Sequence, residues 1–339
     1  MGRWSRRYYS FSPFFVGIFF SYLSLALVWA EAPKICVYPT KDGGTKQVNS
    51  WLLVPDEAKP YAKCFDASQN SYMAKPDDVS LKGNLREQDI VTPLGNIHLR
   101  WPRSVETLFG RTPERAMADA ATSINRLLKS SGFPAELQRL SLDWRVVFMD
   151  ETLPSAQIPA YLVSNCHPAW MTPPANLYVV AQRVVAGCTG ERARSSSVND
   201  AQLSQVLIHE MGHAIEYALL HGRNDGDRMR AEGFACWFEQ LGSDFSSVNT
   251  KGKAKGFYSD LARVAFQQSP NQFAFQGSAY DYARSSMFFH AIVNKRGIKG
   301  LMDVYEAMVK ENRPFFAAVN EKIGWDTSML NAEAMKAAK

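Results

Sequence analysis

Across 339 residues the chain is 46% hydrophobic and 21% charged, an ordinary globular balance that supplies a sizeable core for one large domain or two modest ones. The formal charge is +5, but Arg3, Arg6 and Arg7 lie in the first 30 residues, which hold no acid. The +2 that remains excludes a polycation built for nucleic acid or an acidic surface. No internal repeat and no low-complexity tract is present.

The first feature in chain order reads as an export signal. Three arginines precede a largely apolar run, Phe14 to Trp29, interrupted mainly by Ser21 and Ser24. Val28-Trp29-Ala30 is an acceptable cleavage site and places the mature start near Glu31. The expectation is an exported protein, periplasmic or secreted, with residues 11–30 as a membrane anchor if the signal is retained. Ser5-Arg6-Arg7-x-Tyr9 also resembles a twin-arginine signal. All five cysteines follow this segment. In an oxidising compartment four can pair, and proximity in sequence suggests Cys36 with Cys64 and Cys166 with Cys188. Cys236 is expected to be a small buried residue.

Residues 31–90 read as a small β-containing module. Ile35 to Tyr38 and Trp51 to Val54 have strand character, with a turn at Asp42-Gly43-Gly44. From Ile90 the pattern becomes regular. Asn96 to Trp101 predicts a strand. Thr112 as N-cap with Pro113 at the first helical position predicts a helix to about Ser131. Leu142 to Met149 and Asn176 to Val185 predict strands on either side of a proline-rich loop, Pro154 to Pro174.

Next comes the stretch with chemistry. Val206, Leu207, Ile208, Met211, Ala214, Ile215 and Ala218 give the spacing of a buried helix. Asn199 and Asp200 offer cap oxygens and Gly222 a stop. On that helix His209 and His213 are i and i+4, so both rings share one face and can grip one zinc ion, with Glu210 directed at the water it activates. A catalytic zinc takes three protein ligands. After a polar loop, Arg223 to Asp227, a second helical run from Arg228 to Leu241 ends at Gly242. Antiparallel packing brings Glu232 back to the histidines. Glu239, at i+7 from Glu232, is either an acceptor orienting a ligand histidine or a solvated carboxylate.

The run His209-Glu210-x-x-His213, then 18 residues, then Glu232-Gly233-Phe234-Ala235-x-Trp237-x-Glu239 resembles the zinc site of the gluzincin metallopeptidases, the aminopeptidase branch in particular. The resemblance implies His209, His213 and Glu232 as zinc ligands, Glu210 as general base, and an α+β fold. That fold is a thermolysin-like core of small mixed sheet plus zinc helix, followed by a helical subdomain. It also implies that the strand just before the zinc helix, Asn176 to Val180, borders the cleft and pairs with extended substrate. Two departures matter. The Gly-x-Met-Glu-Asn run whose glutamate holds a substrate amine is missing, and Cys236 stands where thermolysin-like enzymes carry an aspartate. The first sets aminopeptidase action aside, and the expectation is an endopeptidase acting on peptides or proteins.

The rest is helical in pattern: Phe257 to Gln267, Ala279 to Arg296 (ended by Gly297 and Gly300), Leu301 to Lys310, Phe315 to Ile323 and Ser328 to Ala338. Tyr282 is the candidate donor to the oxyanion, since similar gluzincins carry a tyrosine at the start of a comparable helix. Tyr280 and Arg284 are alternatives. His98, His167, His221 and His290 read as structural or surface groups. The expected organisation is signal 1–30, module 31–90, zinc-binding subdomain 91–245 and helical subdomain 246–339. Two other readings stand beside the peptidase. One is a catalytically silent envelope protein on a peptidase-like fold, the other a metal hydrolase of a non-peptide bond.

Overall fold

The structure is a computed structural model and describes residues 34–39, 45–48, 59, 63–66, 85–150, 167–186, 196–223 and 225–339. The export segment, the run Trp51 to Val54, Cys166 and Cys188 lie outside the described residues. The chain divides into two compact units, 1–73 and 74–339. In the first, β1 (Lys34–Pro39) is flanked by β2 (Thr45–Val48) and β3 (Lys63–Asp66), both antiparallel. The register sets Cys36 directly opposite Cys64.

The second unit is α+β. β4 (Leu85–Thr92) and β5 (Gly95–Pro102) form an antiparallel hairpin, and α1 (Pro113–Ser130) and the short α2 (Ala135–Gln138) follow. Pro113 sits at the start of α1 as expected, although Thr112 makes no side-chain cap bond. β6 (Trp144–Met149) pairs parallel with β5 and with β8 (Asn176–Val180), while β7 (Ala169–Thr172) pairs antiparallel with β8. The sheet order is β4-β5-β6-β8-β7.

Alternation sorts its faces. Ile97, Leu99, Trp144, Val146, Phe148, Leu177 and Val179 join the main core with the helices. Val147, Met149, Tyr178 and Val180 pack on the other face, where Trp170 stacks on Tyr178 at 5.0 Å.

Two expectations change here. The strand predicted as Asn176 to Val185 ends at Val180, and Ala181–Ala186 is a short helix, α3. β8 is interior, so it is not the edge strand. The edge is β7, a four-residue strand inside the proline-rich run.

α4 (Ser196–Leu219) and α5 (Arg228–Ser243) pack antiparallel, and α6 (Lys253–Gln268), α7 (Ala279–Glu311), α8 (Phe315–Ile323) and α9 (Thr327–Ala337) complete the unit. α4 starts before Asn199 and Asp200, so these are not its caps. They tie it to the preceding segment instead: Asn199 Nδ2 donates to the Leu108 carbonyl at 2.9 Å and Asp200 accepts from the Gly110 N–H at 2.9 Å. Gly242 does not stop α5. It lies inside the helix, where a Cβ would come 2.7 Å from Ile208 Cγ2 of α4. Gly233 has the same role toward α7, since a Cβ there would meet the Ser285 carbonyl oxygen at 2.8 Å. α7 keeps its helical path at Gly300 and leaves it only at Gly297 (φ 67°, ψ −177°). Among the described residues no helix is long and apolar enough to cross a membrane.

Candidate metal centre

The antiparallel α4–α5 pair brings the motif residues together. Glu232 Oε2 lies 3.4 Å from His209 Nε2 and 3.4 Å from His213 Nε2. These separations are long for charge-assisted hydrogen bonds, which run about 2.7–2.9 Å. They match the edge of a tetrahedron whose metal–ligand bonds are about 2.0–2.1 Å, which is about 3.4 Å. Two imidazole nitrogens and one carboxylate oxygen, each partly open to solvent, are a zinc donor set with room for a fourth ligand. The residues therefore fit zinc. The two rings meet edge to face at 4.9 Å.

Burial alone would push the Glu232 carboxyl up. The two histidines outweigh it and hold Glu232 well below the usual carboxylate range. Burial disfavours the His209 cation, but Cys236, Glu232 and Glu239 around it win and raise its pKa well above that of an ordinary histidine.

The far nitrogen of His209 is engaged as well. Glu239 Oε2 is 3.3 Å from Nδ1, and Tyr258 donates its hydroxyl to the same oxygen at 2.8 Å. Glu239 is therefore buried and placed to orient the ring, not solvated. Cys236 Sγ is 3.8 Å from the same nitrogen. With Glu239 it forms a second group of ligand-type atoms on His209. Burial pushes its thiol up, away from the thiolate a metal requires, and Cys236 is a fully buried free thiol as anticipated.

Glu210 lies beside the three ligand atoms. Its carboxylate accepts the Met171 N–H of β7, and burial raises its pKa against the pull of His209 and His213. A carboxyl with a raised pKa is suited to take and return a proton. Tyr282 stands in the first turn of α7, positioned by a capping box in which Ser278 and Asp281 exchange bonds of 3.3 and 3.0 Å. Its ring is 6.4 Å from His209, and burial pushes its hydroxyl well up, so it remains a proton donor. Tyr280 is exposed. Arg284 points into structure, donating to the Gln272 carbonyl at 2.7 Å and to that of Ala265, with Phe266 beneath it. His290 bonds Gln240 at 2.8 Å, and burial lowers its pKa to about 3. His98 sits on the surface between Asp89 and Asp143, and His221 follows the end of α4 with φ 51°.

A cleft of about 1520 Å³ passes over the site. The Val180 N–H donates to the Pro168 carbonyl at 2.8 Å. By antiparallel alternation Ala169 and Met171 then turn their N–H and C=O groups away from β8, toward the cleft edge. Sequence reasoning missed four contributors. They are the β7 edge, Tyr258, the half-buried His167 in the cleft wall, whose pKa desolvation lowers, and Arg228. Only Arg228 carries a sequence signal, because it stands i−4 from Glu232.

No family model matches the chain, and no curated relative does. Solved structures give weak likenesses. A mutant M1 zinc metallopeptidase from Deinococcus radiodurans bound to a Tyr-Ser-Ala substrate is 16% identical over 76% of this chain and 52% of that one, with a TM-score of 0.40. An M1 zinc metallopeptidase from the same organism is 15% identical over 76% and 51%, with a TM-score of 0.39. A two-domain M1 zinc metallopeptidase mutant bound to L-tryptophan is 16% identical over 76% and 51%, with a TM-score of 0.38. The chain spans about half the length of these structures.

Proposed function

We propose that the chain is an exported, zinc-dependent peptidase of gluzincin type acting as an endopeptidase, with His209, His213 and Glu232 as ligands and Glu210 as general base. The observation that carries it is the convergence of two Nε2 atoms on one Oε2 at tetrahedral-edge spacing, with Glu210 alongside in an open cleft. A zinc ion held there supplies Lewis-acid polarisation of a carbonyl and lowers the pKa of water. The protein's own groups do the rest. Glu239, backed by Tyr258, fixes the His209 ring. Glu210 accepts a proton on its carboxylate and delivers it to the departing amine, held in place by the Met171 N–H. The outward N–H and C=O of Ala169 and the outward C=O of Met171 receive an extended peptide as an added strand. Tyr282 donates its hydroxyl to the oxygen on which negative charge develops. Export rests on residues 1–30, and N-terminal sequencing of the mature protein checks it.

The test is metal content and hydrolysis in the purified chain. One zinc per wild-type chain is expected, lost in His213→Ala and Glu232→Ala. Glu210→Gln keeps the zinc and loses peptide hydrolysis. Full activity in Glu210→Gln would remove the general base from the reading. A folded wild type that takes up no zinc would end it.

A further inference from the structure

Four carboxylates line the cleft among the described residues, and all are engaged. Glu232 faces the two imidazoles, Glu210 takes the Met171 N–H, and Glu239 is held between His209 and Tyr258. Glu216 accepts from Arg230 at 3.2 Å and from Tyr305. A substrate's free amine therefore meets no unengaged acid among the described lining residues. The cationic side differs. Arg228 Nη2 lies 3.3 Å from Glu232 Oε1, the oxygen turned away from the histidines. The guanidinium carbon sits 4.9 Å over the Phe275 ring, and Phe275 meets Tyr282 edge to face at 5.0 Å. The side chain is nonetheless 54% exposed and lines the cleft. A guanidinium has five N–H donors in a fixed plane that matches a carboxylate. Here one edge and one face are held by the protein, so the group is oriented in advance while more than half of the side chain stays open at the cleft. Lys253 and Arg223 add positive charge along the same walls.

We infer that Arg228 is a specificity residue of this site. It binds a carboxylate of the substrate beside the scissile bond, and so directs the enzyme to peptides carrying an acidic group there. The location follows from Glu232, since only one carboxylate separates Arg228 from the three converging ligand atoms. That acidic group is an Asp or Glu side chain or a free C-terminus, which present the same chemistry. The inference rests on the peptidase reading.

The experiment presents a random N-acetylated hexapeptide library, in free-acid and amidated forms, to the zinc-loaded full chain and reads cleavage positions by mass spectrometry. The expected result is enrichment of Asp and Glu over Asn and Gln at one fixed position by about 10-fold or more. If the amidated library alone goes uncut, the C-terminus is the group bound. Arg228→Gln with zinc still bound is expected to lose the preference, whichever form it takes. Should Arg228→Gln lose zinc, Arg228→Lys replaces it, and its preference is expected to fall below that of the wild type. Comparing peptides within each variant removes any general effect on metal or fold. An undiminished preference in the zinc-bound variant would overturn the inference, as would a wild type that cuts with no preference for acid. A zinc-loaded wild type that cuts no peptide would overturn the peptidase reading first and this one with it.

Discussion

Both ring nitrogens of His209 face a carboxylate, Glu232 at Nε2 and Glu239 at Nδ1, and Tyr258 secures the second of these. The ring is therefore fixed about its long axis, which is what a ligand in an open tetrahedral site needs. Tyr282 is held differently, by a helix cap and by packing on Phe275, and among the described residues its hydroxyl meets no hydrogen-bond partner. Tyr282→Phe is expected to keep zinc and to lower kcat about 10²- to 10³-fold, the usual loss for one donor to a developing oxyanion. An unchanged kcat would assign that donation elsewhere. His290 makes a separate point about acid. Its folded pKa of about 3 lies below the ordinary histidine value. Below pH 6.5 or so the unfolded chain takes up a proton that the folded chain refuses. Stability allowed by this residue is therefore full above that pH and declines as the pH falls toward 3, by about 1.4 kcal/mol per unit. Between pH 7 and 5, urea unfolding of His290→Gln should lose about 2 kcal/mol less than the wild type.

At the scale of elements, one buried cluster joins three helices. Glu216 of α4 accepts from Arg230 of α5 and from Tyr305 of α7, and Arg230 also reaches Asp225 at 2.9 Å. Arg230 is 2% exposed. Removing Glu216 would strand a buried guanidinium, so Glu216→Ala is expected to cost about 3–5 kcal/mol in denaturant unfolding. A loss under 1 kcal/mol would mean that Asp225 alone satisfies the arginine. These contacts show what sequence does and does not disclose. The convergence of His209, His213 and Glu232 was legible because the chemistry of a metal site fixes a spacing, four residues on one helix and a return on the next. Glu239 was legible as a position on the Glu232 face, though its partner Tyr258, on another helix, was not. Gly242 looked like a helix stop because glycine does end helices, whereas here it permits α4 and α5 to touch. β7 went unseen because four residues between prolines carry too little alternation to register as a strand. Asn199 and Asp200 looked like caps because the side-chain oxygens that cap a helix can equally tie its first turns to a distant loop.

For the whole second unit, the proposed ligands sit on α4 and α5 and the proposed oxyanion donor on α7, helices that share the main core. Metal bound only by the folded state adds to stability in proportion to the logarithm of its concentration over Kd. Zinc at 1,000 times its Kd contributes about 4 kcal/mol, so adding EDTA to the zinc-loaded protein should lower Tm by about 10 °C. An unmoved Tm would mean that zinc does not bind the native state tightly. The open edge at β7 carries a consequence for behaviour in concentrated solution. An unpaired strand is a template for self-association, and long, flat edges seed aggregates. This one is only Ala169–Thr172, and the next outward-facing position in the alternation is Pro173, which brings no N–H. Two main-chain positions remain outward, and the N–H of one of them, Met171, is already taken by Glu210. The edge is long enough for the peptide pairing proposed above and short for a template that would nucleate a fibre. The prolines that hid this strand in the sequence thus also limit how far a second strand can pair with it.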